Sequence, residues 1–151
     1  PALYKVRTQQ FHDLVIWIGI LLAAAIVLLA PLLVAYLLND SYRASLGVLR
    51  ILPWCTMMVA ASVAQAQYLL AEELQWVGSL ARVVGCAVNV WLNWLWIPAY
   101  GLEGAAWASL LSYIIIVLIV PAGVPATRVC VAHFFIALLA PLRYLRGRPT
   151  S

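Results

Sequence analysis

Arg82, Asn89 and Asn93 are the residues of this sequence whose types and spacing suit chemistry on a polar ligand. At about 100° per residue they share one helical face with Gln75, Ser79 and Cys86, while Leu80, Val84, Ala87, Trp91 and Leu95 fall opposite. Arg82 stands about four residues, or roughly 6 Å, from the midpoint between Trp76 and Trp96. A cation at such depth costs about 2.5 to 3.5 kcal/mol to insert, and such residues face a water-filled cavity or a partner. A guanidinium attracts anions and matches phosphate geometry. Snorkelling toward Trp76, or pairing with Glu72 or Glu73, would satisfy the same charge without any ligand. Asn89 and Asn93, one turn apart, each donate and accept, as sugar hydroxyls or a hydrated head group require; bonds to a neighbouring helix would use the same groups. Gln65, with Ser62, is a lumen-facing candidate on the preceding apolar run.

The elements that position these residues follow from composition. With 66% hydrophobic residues, 9% charged residues and a mean hydropathy of +1.01, the chain reads as an integral membrane protein in contact with the bilayer. Its apolar runs predict an all-α, polytopic transmembrane bundle of four full spans over about 14–38, 46–70, 76–97 and 102–120, then a short apolar helix over 129–142. The residues before Leu14 read as a polar lead-in. Trp76 and Trp96 bracket the third span at a separation of roughly 30 Å, the thickness of a hydrocarbon core. Pro31 should kink the first span and is the candidate hinge. Gly104, Ala108 and Ser112 recur every four residues and form a small-residue packing face. The turn-rich Asn39 to Arg43 takes the chain out of the bilayer.

Charge sets the orientation. With four spans, Lys5, Arg7, Arg128, Arg143, Arg146 and Arg148 lie on one side, against Arg43 and Arg50 on the other, which places both ends in the cytoplasm. A fifth complete crossing would export the tail arginines, so the last segment is expected to be interfacial or incomplete. The chain starts at Pro1 and is expected to be part of a longer polypeptide.

Several function classes drop away. The net charge of +4 comes from Lys and Arg scattered at segment ends with no basic stripe, so no nucleic-acid partner is expected. Cys55, Cys86 and Cys130 lie in apolar runs without metal-ligand spacing and read as small buried hydrophobes, so no metal or other cofactor is expected. No G-x-S-x-G, H-E-x-x-H, P-loop or paired intramembrane carboxylates occur, so catalysis is not expected. His133 has no acidic partner in its segment and reads as a tolerated membrane histidine, while His12 and Asp13 read as interfacial residues ahead of the first span. All five acidic residues fall at or near predicted segment ends, which removes the usual carboxylate site for a coupling cation.

The run "NVWLNWLWIPAYGLEGAAWASLLSY", from Asn89 to Tyr113, resembles the C-terminal half of bacterial polysaccharide, or O-antigen, flippases of the MOP exporter superfamily. There an asparagine-bearing span ends in "lIP", followed by "G-x-x-GAA-x-A" and a helix with "SY". "PALYK" and "LLNDSYRASLGVLRIL", with Tyr42, Ala44 and Leu49 to Leu52, resemble further stretches of that family. The resemblance implies the C-terminal bundle of a MATE-like flippase fold in the bacterial inner membrane. Two such bundles enclose a cationic cavity, and alternating access moves an undecaprenyl-diphosphate-linked oligosaccharide across the bilayer. Arg82 fits that cavity by its position on the polar face, and the resemblance implies that an N-terminal transporter half is the missing partner. Cation-coupled drug efflux within the same superfamily, and a non-transporting membrane interaction protein assembled through the Gly104 face, are the alternatives.

Overall fold

The computed structural model describes residues 2–37 and 45–141, which are helical apart from short turns. The polar turn from Asn39 to Arg43 and the tail arginines Arg143, Arg146 and Arg148 lie outside the described residues. Three helical stretches are long and apolar enough to cross a membrane: Val6–Leu32, Gly47–Ala71 and Gln75–Gly123; Pro125–Leu138 is a shorter apolar helix.

Helix α1 (Ala2–Leu37) is one continuous helix through Pro31, whose side chain is exposed. The expected polar lead-in is thus the first turns of α1, because Ala2 to Asp13 contains no glycine or proline to stop a helix. Helix α2 (Ser45–Ala71) lies against it. Gly19 permits the close approach: a methyl group there would stand 3.0 Å from the Met57 Cα and 3.1 Å from the Ala60 Cβ.

The turn between α2 and α3 is closed by two backbone bonds, Leu74 N–H to Leu69 O at 2.8 Å and Glu73 N–H to Leu70 O at 3.3 Å. This is a Schellman ending, and it holds Glu73 at a φ of 58°.

Helix α3 (Gln75–Ile114) is two limbs rather than one rod. At Gly101 the backbone takes φ 58° and ψ −136°, a conformation only glycine adopts readily, three residues after Pro98. Beyond it the chain folds back, since a methyl group on Gly104 would stand 2.5 Å from the Trp96 carbonyl oxygen, and one on Gly85 would overlap Ile116. In a straight helix residues 85 and 116 would be about 46 Å apart. The small residues Gly104, Ala108 and Ser112 are buried in this return, so their face is covered by the other limb of the same hairpin.

The second limb continues as a π-helical stretch, Ile115–Ile119, into α4 (Val120–Gly123). Pro121 cannot donate to Val117, and the Val120 N–H instead reaches the Ile115 carbonyl, which widens the turn. Pro125 then forces Val124 into extended geometry and breaks the helix. The buried Thr127 hydroxyl donates to the Pro121 and Val124 carbonyls, at 2.8 and 3.1 Å, and fixes the corner. Helix α5 (Arg128–Leu138) packs back on α1: the Trp17 indole donates to Ala137 O at 2.8 Å, and the Gln9 amide to His133 O at 3.2 Å. The core where these helices meet contains Ile16, Met58, Ala61, Val117, Phe134 and Ala137.

Candidate functional site

The first limb of α3 buries Val77, Ala81, Gly85 and Leu92. At about 100° per residue that strip lies a third of a turn from the stripe of Arg82, Cys86 and Asn89, so the polar stripe runs along the edge of the hairpin. Leu80, Trp91 and Leu95 point away from the protein and are exposed, as a lipid-facing side requires. The stripe opens on a cleft of about 420 Å³, lined by Arg82, Cys86 and Asn89, by Ser109, Ser112 and Tyr113 from the returning limb, and by Ser62 from α2.

Local hydrogen bonds decide what this cleft offers a ligand. The Ser62, Ser109 and Ser112 hydroxyls donate within their own helices, to Val59 O at 2.8 Å, Ala105 O at 3.0 Å and Ala108 O at 2.7 Å. Their oxygens keep accepting capacity only. Asn93 donates to both the backbone and the side-chain oxygen of Asn89, each at 2.9 Å. Since a backbone carbonyl only accepts, Asn93 must present its nitrogen and Asn89 its oxygen, which leaves the Asn89 amide N–H groups for another partner. The Arg82 guanidinium and the Tyr113 hydroxyl supply further donors. Beside the cleft, a void of about 20 Å³ touches Gln65, Ser62 and Arg82; the Gln65 side chain is buried there. A space of that size holds one water molecule.

Set against family models, curated proteins and solved structures, the chain matches none. The cleft's chemistry therefore rests on its own residues. Of the sequence candidates, Arg82 and Asn89 line it, Gln65 lies just beneath it, and Asn93 acts on it by holding Asn89. Ser79 is exposed on the same limb and is not among the lining residues. Arg82 is exposed, and its Nη1 reaches back toward Gly78, within 3.8 Å of where a Cβ would sit there.

Three expectations are corrected. Cys86 is exposed, not a buried hydrophobe, because it shares the face of Arg82 and Asn89; Cys55 and Cys130 are buried. His12 and Asp13 do not precede the first apolar helix. Because α1 starts at Ala2, they lie within Val6–Leu32 at 2% and 4% exposure. One carboxylate therefore sits inside an apolar segment rather than at its end.

Nor is His133 isolated. Its ring meets that of His12 with centroids 5.2 Å apart, and that of Tyr68 at 5.9 Å. The residues are far apart in sequence, and only the docking of α5 onto α1 unites them. Next to this cluster, at the start of α1, the Tyr4 hydroxyl donates to Glu72 Oε1 at 3.3 Å. Partial desolvation, then the Glu72 carboxylate, hold that phenol above its ordinary value.

Proposed function

We propose that this chain is a helical bundle of a flippase for a lipid-linked oligosaccharide, of the undecaprenyl-diphosphate class, working in the bacterial inner membrane during polysaccharide biosynthesis. The observation that carries the reading is the cleft with one guanidinium and a freed amide at its wall, on a limb whose opposite side is apolar and exposed. A diphosphate needs donors and positive charge, and sugar hydroxyls need both donors and acceptors; the cleft has all three.

In this reading the hairpin supplies two crossings. The limbs 75–100 and 102–123 rise about 39 Å and 33 Å, each enough for a hydrocarbon core of about 30 Å. With α1 and α2 that makes four spans, with both ends cytoplasmic. The cleft faces a second bundle, the N-terminal half of a MATE-like transporter, and Pro31 gives α1 the bend for alternating access.

The test uses the chain in lipid nanodiscs with a polyprenyl diphosphate as probe and the neutral polyprenol as control. The diphosphate should bind and the alcohol should not. Arg82→Glu should weaken binding about tenfold or more, as loss of a charged hydrogen bond worth about 1.5 to 3 kcal/mol implies. Equal binding of both lipids, or an unchanged affinity in the variant, would remove the reading.

A second reading, drug efflux driven by cation antiport, draws on the buried Asp13. A neutral or cationic amphiphile bound in the same assay, in place of the diphosphate, would select it.

A further inference from the structure

Away from the cleft, the interface of α1 and α5 holds a cluster of buried polar groups in which the Gln9 oxygen and the His12 Nε2 lack donors. Gln9, His12 and Asp13 are 6%, 2% and 4% exposed. The Gln9 amide nitrogen donates to Asp13 Oδ1 at 2.6 Å and to the His133 carbonyl at 3.2 Å. Both targets accept from it, so the Gln9 oxygen must point the other way, and it is buried with no donor. The His12 Nδ1 stands 2.8 Å from Thr8 O, an acceptor only, so Nδ1 carries the hydrogen and Nε2 is a bare lone pair. That Nε2 is also buried without a partner, as is Nδ1 of the adjoining His133.

Leaving an acceptor unpaired in an apolar setting is costly, so the cluster favours whatever supplies a donor. A metal ion is not favoured, because no group of three or more His, Cys, Asp or Glu is suited to hold one among the described residues.

The geometry points to a proton-binding site in which His12 and His133 hold one excess proton between them, next to the Asp13 carboxylate. The proton adds to the Nε2 lone pair of His12. It converts that acceptor into a donor for the Gln9 oxygen or the facing His133 ring, and Asp13 opposes the positive charge. A second proton would place two imidazolium rings 5.2 Å apart and is disfavoured. The groups that face the pair are Asp13 from α1 and Tyr68 from α2, with Glu72, Cys130 and Tyr4 around Tyr68. Proton occupancy therefore governs how firmly α5 is held on α1, whatever the cleft carries.

The chain contains only two histidines, which makes the test direct. Imidazole nitrogens and carbons are followed by NMR from pH 4 to 9 on histidine-labelled protein in nanodiscs. The expected result is one uptake step that moves both rings together, with the second proton taken up only at much lower pH. Replacing one histidine by glutamine, in His133→Gln or His12→Gln, should shift the midpoint of the remaining ring by about one pH unit or more, the scale of a coupled pair. Asp13→Asn should lower the first midpoint. Two independent titrations, each unmoved by the other ring's substitution, would overturn the proposal. So would two rings that stay neutral throughout, the outcome if a water molecule fills the same role. Because the wild-type titration alone shows coupling or its absence, a variant that fails to fold leaves the result decisive.

Discussion

Glu73 and Gly101 both carry a φ of 58°, and they show how much a single residue type matters at that dihedral. At Gly101 nothing stands within 4 Å of where a Cβ would be, so Gly101→Ala meets no clash and its cost is purely conformational. The expected loss is about 1 to 3 kcal/mol, read as a lower unfolding midpoint in detergent. Glu73 is the reverse case, a side chain where a Schellman ending prefers glycine. Glu73→Gly should relieve about 1 to 2 kcal/mol of left-handed strain, offset by about 0.5 to 1 from the greater freedom of glycine when unfolded. A small rise in the same midpoint, of up to about 1 kcal/mol, is the expected outcome. The sequence marked Gly101, through the nearby Pro98, as a turn. It gave no sign of Glu73, because a glutamate following another near a helix end looks like any solvated connection.

At the scale of elements, the hairpin of α3 rests on two glycines that face different kinds of neighbour. A methyl group on Gly104 would press on the Trp96 carbonyl, which is backbone and cannot turn aside. One on Gly85 would overlap Cγ1 of Ile116, a β-branched side chain with little χ1 freedom in a helix. Gly104→Ala and Gly85→Ala should therefore each cost about 1 to 3 kcal/mol as overpacking. Unfolding of the two variants side by side in SDS titration gives the comparison. Hydropathy made the limbs legible, because apolar length is counted along the chain. The direction in which Gly104, Ala108 and Ser112 pack was not legible, since a small-residue stripe shows that something approaches closely but not which helix it is. The polar stripe was readable for the same reason as the spans: Arg82, Cys86 and Asn89 keep helical spacing. Its donors and acceptors were not readable, because they depend on Asn93 bonding Asn89 and on serines turning inward.

Across the whole molecule, α5 is the element whose place matters most and whose sequence says least about it. Its docking depends on α1 side chains more than a hundred residues away in sequence. Trp17 donates to Ala137 O, one of the last carbonyls of α5, which also receives the Leu139 N–H. Trp17→Phe keeps most of the packing but removes the bond that ties α5 to α1, at a cost of about 0.5 to 1.5 kcal/mol. Hydrogen exchange should show faster opening of residues 128–138, with α1 and α2 protected as before. Exchange unchanged in α5 would mean that the indole contributes nothing to its docking. The meeting of His12 with His133 was not legible for the same reason: the two rings lie on different helices, and the pair exists only once the chain has folded.

The fold-back at Gly101 also bears on how the chain enters a bilayer during synthesis. The limb that carries Arg82, Asn89 and Asn93 is a poor candidate for insertion alone, since the arginine offsets much of what its apolar residues contribute. The returning limb is almost wholly apolar from Ala105 to Val120, apart from serines bonded to their own helix. With Gly104 seated on the Trp96 carbonyl, the two limbs can leave the translocation machinery as one paired unit, the second drawing in the first. In the proposed four-span arrangement, the ribosome completes the glycine turn and the return limb before the arginine-bearing limb is committed to lipid.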